Sequence, residues 1–377
     1  MIDYIVNFGE TLYFIARKFN IGTAELLAIN PEIINPDFVV PGQVIRIPSN
    51  GQLKRTITVN GFTSLNIDNQ ILIERLSYLT YLSIHGYSFN PDGTVNNIDD
   101  TQLIQMSRGA GVAPLMVISN TAANGLYSAE LAHTILTNTQ LQNTLINNIV
   151  GILNDKKYFG LVVNFEYLNP PDMFVFSYFI NLLTDALRPL GYLIALAIRM
   201  SVFTDQQALV MQIDQRNIDR VIIMSNELAY TFGQTMVMSP FDQMQRTLDA
   251  AIVVLRNSKF LLGIPNSSYN WTFPRNLGVP AQPLSKEDVI PLYNSSGSIL
   301  HFDAITRGTY FNYIDDKGAG NLVWTEDGHG FEEYLKLVDI YNLAGASLWT
   351  IDLFTSADYQ MLNATHDIRK VISPAFE

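Results

Sequence analysis

Gly160-Leu-Val-Val-Asn-Phe-Glu-Tyr-Leu168 joins the composition of a buried strand to an acid. Five of its nine residues are Leu, Val or Phe and Gly160 opens the run, which suits a central strand covered on both faces. Strands of that kind exclude carboxylates. Period-two alternation puts Val162, Asn164 and Glu166 on one face and Leu161, Val163, Phe165 and Tyr167 on the other, with Glu166 at the strand's carboxyl end. Either the side chain escapes there into solvent or it is held for chemistry, and the neighbouring sequence decides.

Similar apolar, β-type runs recur at 56–62, 81–89, 114–120, 193–200, 220–228, 260–267 and 346–353. Helical patterns fill most of the intervals, at 128–153, 171–190, 240–257 and 330–344. Eight strands alternating with helices predict a (β/α)8 TIM barrel over residues 55–377 ahead of an open doubly wound sheet. In such a barrel the carboxyl ends of the strands carry the chemistry, which favours the second reading of Glu166. The interval 268–345 exceeds one crossover helix. It contains Tyr310-Phe-Asn-Tyr-Ile-Asp-Asp-Lys-Gly318 and Leu322-Val-Trp-Thr325, an alternating hairpin turning near Lys317-Gly318. An inserted α+β subdomain before the last strand, walling one side of the barrel mouth, is expected.

Before the barrel, residues 1–49 form a compact βααβ unit: strand 4–6, a turn at Gly9, helices 12–19 and 23–29, and strand 44–47. Thr11 and Thr23 are the expected helix caps, and Pro41-Gly42 the turn into the last strand. Residues 49–54 read as a short polar linker.

The 377 residues are 48% hydrophobic and 15% charged, without charge blocks, as expected of a folded chain with one large and one small domain. A net charge of −12 with no Lys/Arg stripe argues against nucleic acid and anionic membranes as partners and leaves neutral or amphipathic ones. There is no cysteine, and the five His residues show no ligand spacing, so neither a metal nor a cofactor is expected. The first ten residues have neither a basic nor an apolar signal region, and no run reaches the ~18 apolar residues of a membrane span. The expectation is synthesis in a cytosol without a signal peptide, any extracellular role requiring lysis or deposition by a surrounding mother cell.

Two resemblances follow. The spacing Tyr4-x-Val6-x-x-Gly9-x-Thr11-Leu12-x-x-Ile15-Ala16-x-x-Phe19, then Leu26-x-x-x-Asn30, then Pro41-Gly42-Gln43-x-Ile45-x-Ile47-Pro48 resembles a LysM module. That implies binding of N-acetylglucosamine-containing glycans, peptidoglycan or chitin, through Gly9, Glu10, Thr11 and Leu12 on one side and Ile29, Asn30 and Pro31 on the other. The barrel resembles the family 18 glycoside hydrolases, and among them the LysM-bearing enzymes that act on spore-cortex fragments. The residues carrying this are Leu79-Thr-Tyr-Leu-Ser83 to Phe89, Pro114 to Asn120, Asn164-Phe-Glu-Tyr167, Tyr310 to Asp315, Val323-Trp-Thr-Glu-Asp327 and Leu348-Trp349.

The resemblance implies substrate-assisted cleavage, with the sugar's acetamide as nucleophile, Glu166 as the acid and a carboxylate two residues earlier to turn the acetamide and balance the oxazolinium charge. The family's Asp-Gly-x-Asp-x-Asp-x-Glu reads here Phe159-Gly-Leu-Val-Val-Asn164-Phe-Glu166, so the acid survives and the orienting carboxylate does not. Losing one preorganised electrostatic partner costs about 3 kcal/mol, roughly a hundredfold in rate. The family's Met-x-Tyr-Asp reads Met224-Ser-Asn226-Glu227, placing an amide for a phenol and a longer acid for Asp in the same subsite. Trp349 matches the family's sugar-floor Trp, and Trp271 and Trp324 lie in segments expected to border the same mouth.

Three functions stay open: a catalytically impaired glycan-binding protein of the spore or its surrounding layers, an active N-acetylglucosaminidase acting on cortex fragments, and an assembly protein whose barrel contacts other spore-layer proteins.

Overall fold

The computed structural model describes residues 2–19, 21–31, 33, 35, 39–48, 54–200, 218–225, 241–264, 266, 268–274, 281–325 and 328–374. In the N-terminal module β1 (Ile2–Ile5) precedes α1 (Leu12–Lys18) and α2 (Thr23–Ile29), and β2 (Val44–Ile47) returns antiparallel to β1. Tyr4, Leu12, Ile15, Leu26, Ile45 and Ile47 are its buried core. Gly9 takes φ +83° at the expected turn, a conformation glycine adopts without strain. Thr11 caps α1 by accepting from the Phe14 amide. Thr23 does not cap α2: Gly22 occupies the cap position and Thr23 is already helical.

The barrel runs through β3 (Arg55–Thr63), α3 (Asn69–Leu76), β4 (Tyr81–Ser88), α4 (Thr101–Gly109) and β5 (Ala113–Ser119), then α5 (Ala129–Leu136), α6 (Thr139–Asp155), β6 (Gly160–Asn164), α7 (Asp172–Leu187), β7 (Leu193–Arg199), β8 (Arg220–Met224), α8 (Phe241–Val254) and β9 (Phe260–Ile264). An insertion follows, with β10 (Ser268–Phe273), β11 (Gln282–Leu284), α9 (Lys286–Ser296), β12 (His301–Phe302), β13 (Thr309–Ile314) and β14 (Gly320–Thr325). The chain then adds α10 (Gly328–Ile340), β15 (Gly345–Leu348), α11 (Ser356–Thr365) and β16 (His366–Ile368). Strands β3 to β9 and β15 pair in parallel, and β15 pairs back onto β3, with Ala346 opposite Val59, closing an eight-stranded TIM barrel. Val117, Val162, Ala195, Ile222 and Leu261 fill its interior, while Leu161 and Val163 pack outward under the helices. Gly160 is required by close approach, because a Cβ there would lie 2.2 Å from the Leu193 carbonyl oxygen.

Several boundaries differ from the sequence reading. The key strand stops at Asn164, four residues short of the expected Leu168. The Phe165 ring leaves the sheet for Phe89 and Phe176, at 5.2 and 5.6 Å, and Tyr167 turns the chain at φ +55°. The helix expected over 128–153 is two, because the Asn138 side chain accepts from the Gln140 and Leu141 amides and starts a new one. The last barrel strand ends at Leu348, with a 3₁₀ turn at Ile351–Leu353.

The insertion is an antiparallel sheet in the order β11-β10-β14-β13-β12, backed by α9. Its β13–β14 hairpin turns through Gly318 at φ +80°, with Ile314 opposite Gly320. The N-terminal module docks on it and on α11. Phe8 is buried with Val289, Phe311 and Val323, the Asn7 amide donates to Asp358 at 2.8 Å, and the Ile5 N–H donates to Gln360 at 3.0 Å. Among the described residues no helix is long and apolar enough to cross a membrane.

Candidate active site

Asn164 is fully buried at the carboxyl end of β6, on the inward face it shares with Val162. Its Nδ2 donates to the Tyr127 hydroxyl at 2.8 Å, and the Glu166 carboxylate acts on that same phenol. One phenol therefore ties the two residues of the expected pair together, although Glu166 lies beyond the strand. Burial, and next the Glu166 charge, push the Tyr127 phenol well above its ordinary range, so it keeps its proton and remains a donor. Asn164 Oδ1 is buried and meets no hydrogen-bond partner among the described residues. An acceptor held that way suits the N–H of an incoming amide.

Glu166 is positioned through its backbone. Asn120, fully buried at the end of β5, accepts from the Glu166 N–H and donates to the Glu166 carbonyl, both at 2.9 Å. Asn120 also donates to the Ser128 carbonyl at 3.1 Å, and the Ser128 N–H donates to the Asn120 carbonyl at 2.8 Å. These bonds close the loop 121–127, whose ends meet in an antiparallel bridge between Thr121 and Tyr127. The same amide thus fixes the acid and the base of the loop that delivers Tyr127.

Trp349, partly exposed just past β15, lies across the mouth with its ring 4.7 Å from Phe62 and edge-on to His85 at 5.7 Å. Burial holds the His85 imidazole below its ordinary pKa and hence neutral, and its Nε2 has no partner among the described residues. On the other side of the acid, Tyr167 is half exposed between Tyr127, at 6.0 Å, and the Arg199 guanidinium, 4.4 Å from the ring centre. Among the described residues the mouth combines aromatic faces, the Glu166 acid and buried amide and imidazole atoms, which is a sugar-binding chemistry.

Residues 56–353 match the family model for the glycosyl hydrolases family 18. The chain belongs to that family. Residues 4–48 match the LysM domain model. Over 427 aligned residues the chain is 26% identical to the cortical fragment-lytic enzyme of Bacillus subtilis strain 168, covering 97% of this chain and 98% of that protein. Among solved structures it superposes on the Bacillus cereus spore cortex-lytic enzyme SleL with a TM-score of 0.80, at 23% identity over 98% of this chain and 87% of the other. A chitinase from Chromobacterium violaceum gives a TM-score of 0.74 at 24% identity, covering 82% and 99%.

In family 18 terms, the structure brings Asn164, Glu166 and Trp349 to one end of the barrel. Asn226 and Glu227 lie outside the described residues. Trp271 and Trp324 sit together in the inserted sheet, packed with Tyr269 and Tyr310, and each is less than a tenth exposed. Asn120 and Tyr127 had no role in the sequence reading. Asn120 ends an apolar run, where an inward amide could have been marked; Tyr127 stands in a loop with no comparable signal.

In the LysM module, Gly9, Glu10 and Thr11 line a cleft of about 440 Å³ whose facing wall is Val39, Val40 and Pro41. Ile29, Asn30 and Pro31 do not line it. Asn30 is buried and consumed internally, donating to the Leu26 and Arg46 carbonyls and accepting from the Arg46 N–H. Leu12 is core. The Glu10 carboxylate is held by the Tyr4 hydroxyl at 2.7 Å, the Asn7 N–H at 2.8 Å and the Lys18 ammonium at 2.9 Å, so its role in the turn is structural.

Proposed function

We propose that this protein is a spore-associated binder of N-acetylglucosamine-containing glycan, peptidoglycan or chitin, whose family 18 barrel is a poor hydrolase. The observation that carries this is a buried, neutral Asn164 at the carboxyl end of β6, its Nδ2 bonded to Tyr127 and its Oδ1 without a partner among the described residues. Substrate-assisted cleavage needs a protonated acid and a neighbouring anion to balance the oxazolinium. Asn164 is neutral, so its open Oδ1 can accept the acetamide N–H without supplying charge. The acid and an acetamide-binding group are kept, and the orienting charge is not. The spore association draws on the cortex-fragment activity named for the Bacillus subtilis relative and on the LysM module.

The test is turnover of N-acetylglucosamine oligomers and isolated cortex fragments by the wild-type protein. The expected rate is at least about a hundredfold below the few per second of ordinary enzymes. A rate in that ordinary range would favour the second reading, an active N-acetylglucosaminidase, for which the bidentate Asn120 clamp on Glu166 is the supporting observation.

A further inference from the structure

The cleft beside Gly9 and Thr11 has a wall that the LysM module does not supply. Past Val40 and Pro41 it is closed by the insertion, through Asn294 near the end of α9 and His301 and Phe302 of β12. We infer that this seam is one composite subsite for an N-acetylglucosamine oligomer, in which the insertion provides contacts the module lacks. The inference rests on the glycan-binding reading above and adds the barrel's insertion as the second half of the module's site.

The lining has the character of a sugar subsite. Phe14 and Phe302 leave 45% and 42% of their surface open, on opposite sides of the seam. The His301 ring lies flat against Tyr310, centroids 5.1 Å apart at 22°, so it is backed rather than loose. Ring faces beside an exposed carboxamide and a threonine match a ligand with C–H faces and polar edges. Among the described lining residues the carboxylate is that of Glu10, and Tyr4, Asn7 and Lys18 already hold it. The seam therefore offers no uncompensated acid to a cationic ligand, and a neutral one fits.

The two halves are also fixed relative to each other. Phe8, next to Gly9, meets Tyr293 edge-on at 5.1 Å, and Tyr293 meets Phe311 edge-on at 5.3 Å. Together with the Asn7–Asp358 and Ile5–Gln360 bonds, these contacts set the width of the cleft before any ligand arrives. Preorganisation of that kind lowers the ordering cost of binding.

The experiment uses the full-length protein carrying Glu166→Gln to prevent cleavage, titrated with chitopentaose while the Gly9 and Thr11 amide resonances are followed by NMR. Those amides report on the seam and not on the barrel mouth. Phe302→Ala and Asn294→Ala should each weaken the binding read there by about five- to tenfold, as Phe14→Ala should from the module side. All three side chains are exposed, and an unchanged melting temperature confirms the fold of each variant. If Phe14→Ala weakens binding while both insertion variants match the parent, the composite site is wrong and the module still binds glycan. If the parent's amides do not move at millimolar oligomer, the glycan-binding reading of the module fails, and the composite site with it.

Discussion

Tyr127 stands between Asn164 and Glu166, accepting from the Asn164 amide at 2.8 Å while the Glu166 charge helps to push its phenol up. Burial keeps the phenol protonated well into the alkaline range, so alkali does not readily remove the acceptor of the Asn164 amide. Tyr127→Phe removes the acceptor of a buried amide. It should cost about 1–3 kcal/mol of stability, read from the midpoint of urea unfolding. An unchanged midpoint would mean that the phenol does not hold the Asn164 amide in place. Asn164 and Glu166 could be found in the sequence because a polar residue and an acid interrupt an apolar run. Tyr127 could not, since its place depends on a loop folded back by the Asn120 bonds rather than on any local pattern.

At the scale of elements, the strands and helices were legible wherever apolar periodicity coincided with burial in the barrel, and misread where one signal served two purposes. Phe165 extends the apolar run of β6, yet its ring is buried against Phe89, Phe176 and Phe179 outside the strand, so composition placed the strand's end too late. Asn138 is polar within a helical pattern and reads as a tolerated surface residue until its side chain is seen capping α6. In the LysM module, α1 is pinned to β1 by a buried ion pair. Lys18 and Glu10 have side-chain exposures of 1% and 4%, with the Tyr4 hydroxyl 2.6 Å from the Lys18 ammonium. Lys18→Met leaves the Glu10 charge buried without its counter-ion and should destabilise the module by about 3–5 kcal/mol. Hydrogen exchange at the amides of α1 and β2 measures this, and a loss below about 1 kcal/mol would show that Tyr4 and the Asn7 N–H suffice to hold the carboxylate.

Over the whole molecule, the order of module, barrel and insertion was readable from repeating strand and helix patterns, but the docking of the module was not. It depends on Phe8, Asn7 and Gln360, single residues in loops and helix faces that carry no periodic signal. That docking sets the LysM turn against the insertion, while the altered pair of Asn164 and Glu166 lies at the mouth of the barrel. We propose that the barrel's impairment is local to one subsite, in which Asn164 stands where the family's orienting carboxylate is expected. Its most direct test is the turnover of cortex fragments and N-acetylglucosamine oligomers by the Asn164→Asp protein beside the wild type. The returned carboxylate should raise the rate by roughly tenfold or more, and adding Glu166→Gln should abolish the gain, because an amide cannot protonate the leaving oxygen. An Asn164→Asp protein that folds, binds the oligomers and cleaves no faster than the wild type would contradict the claim.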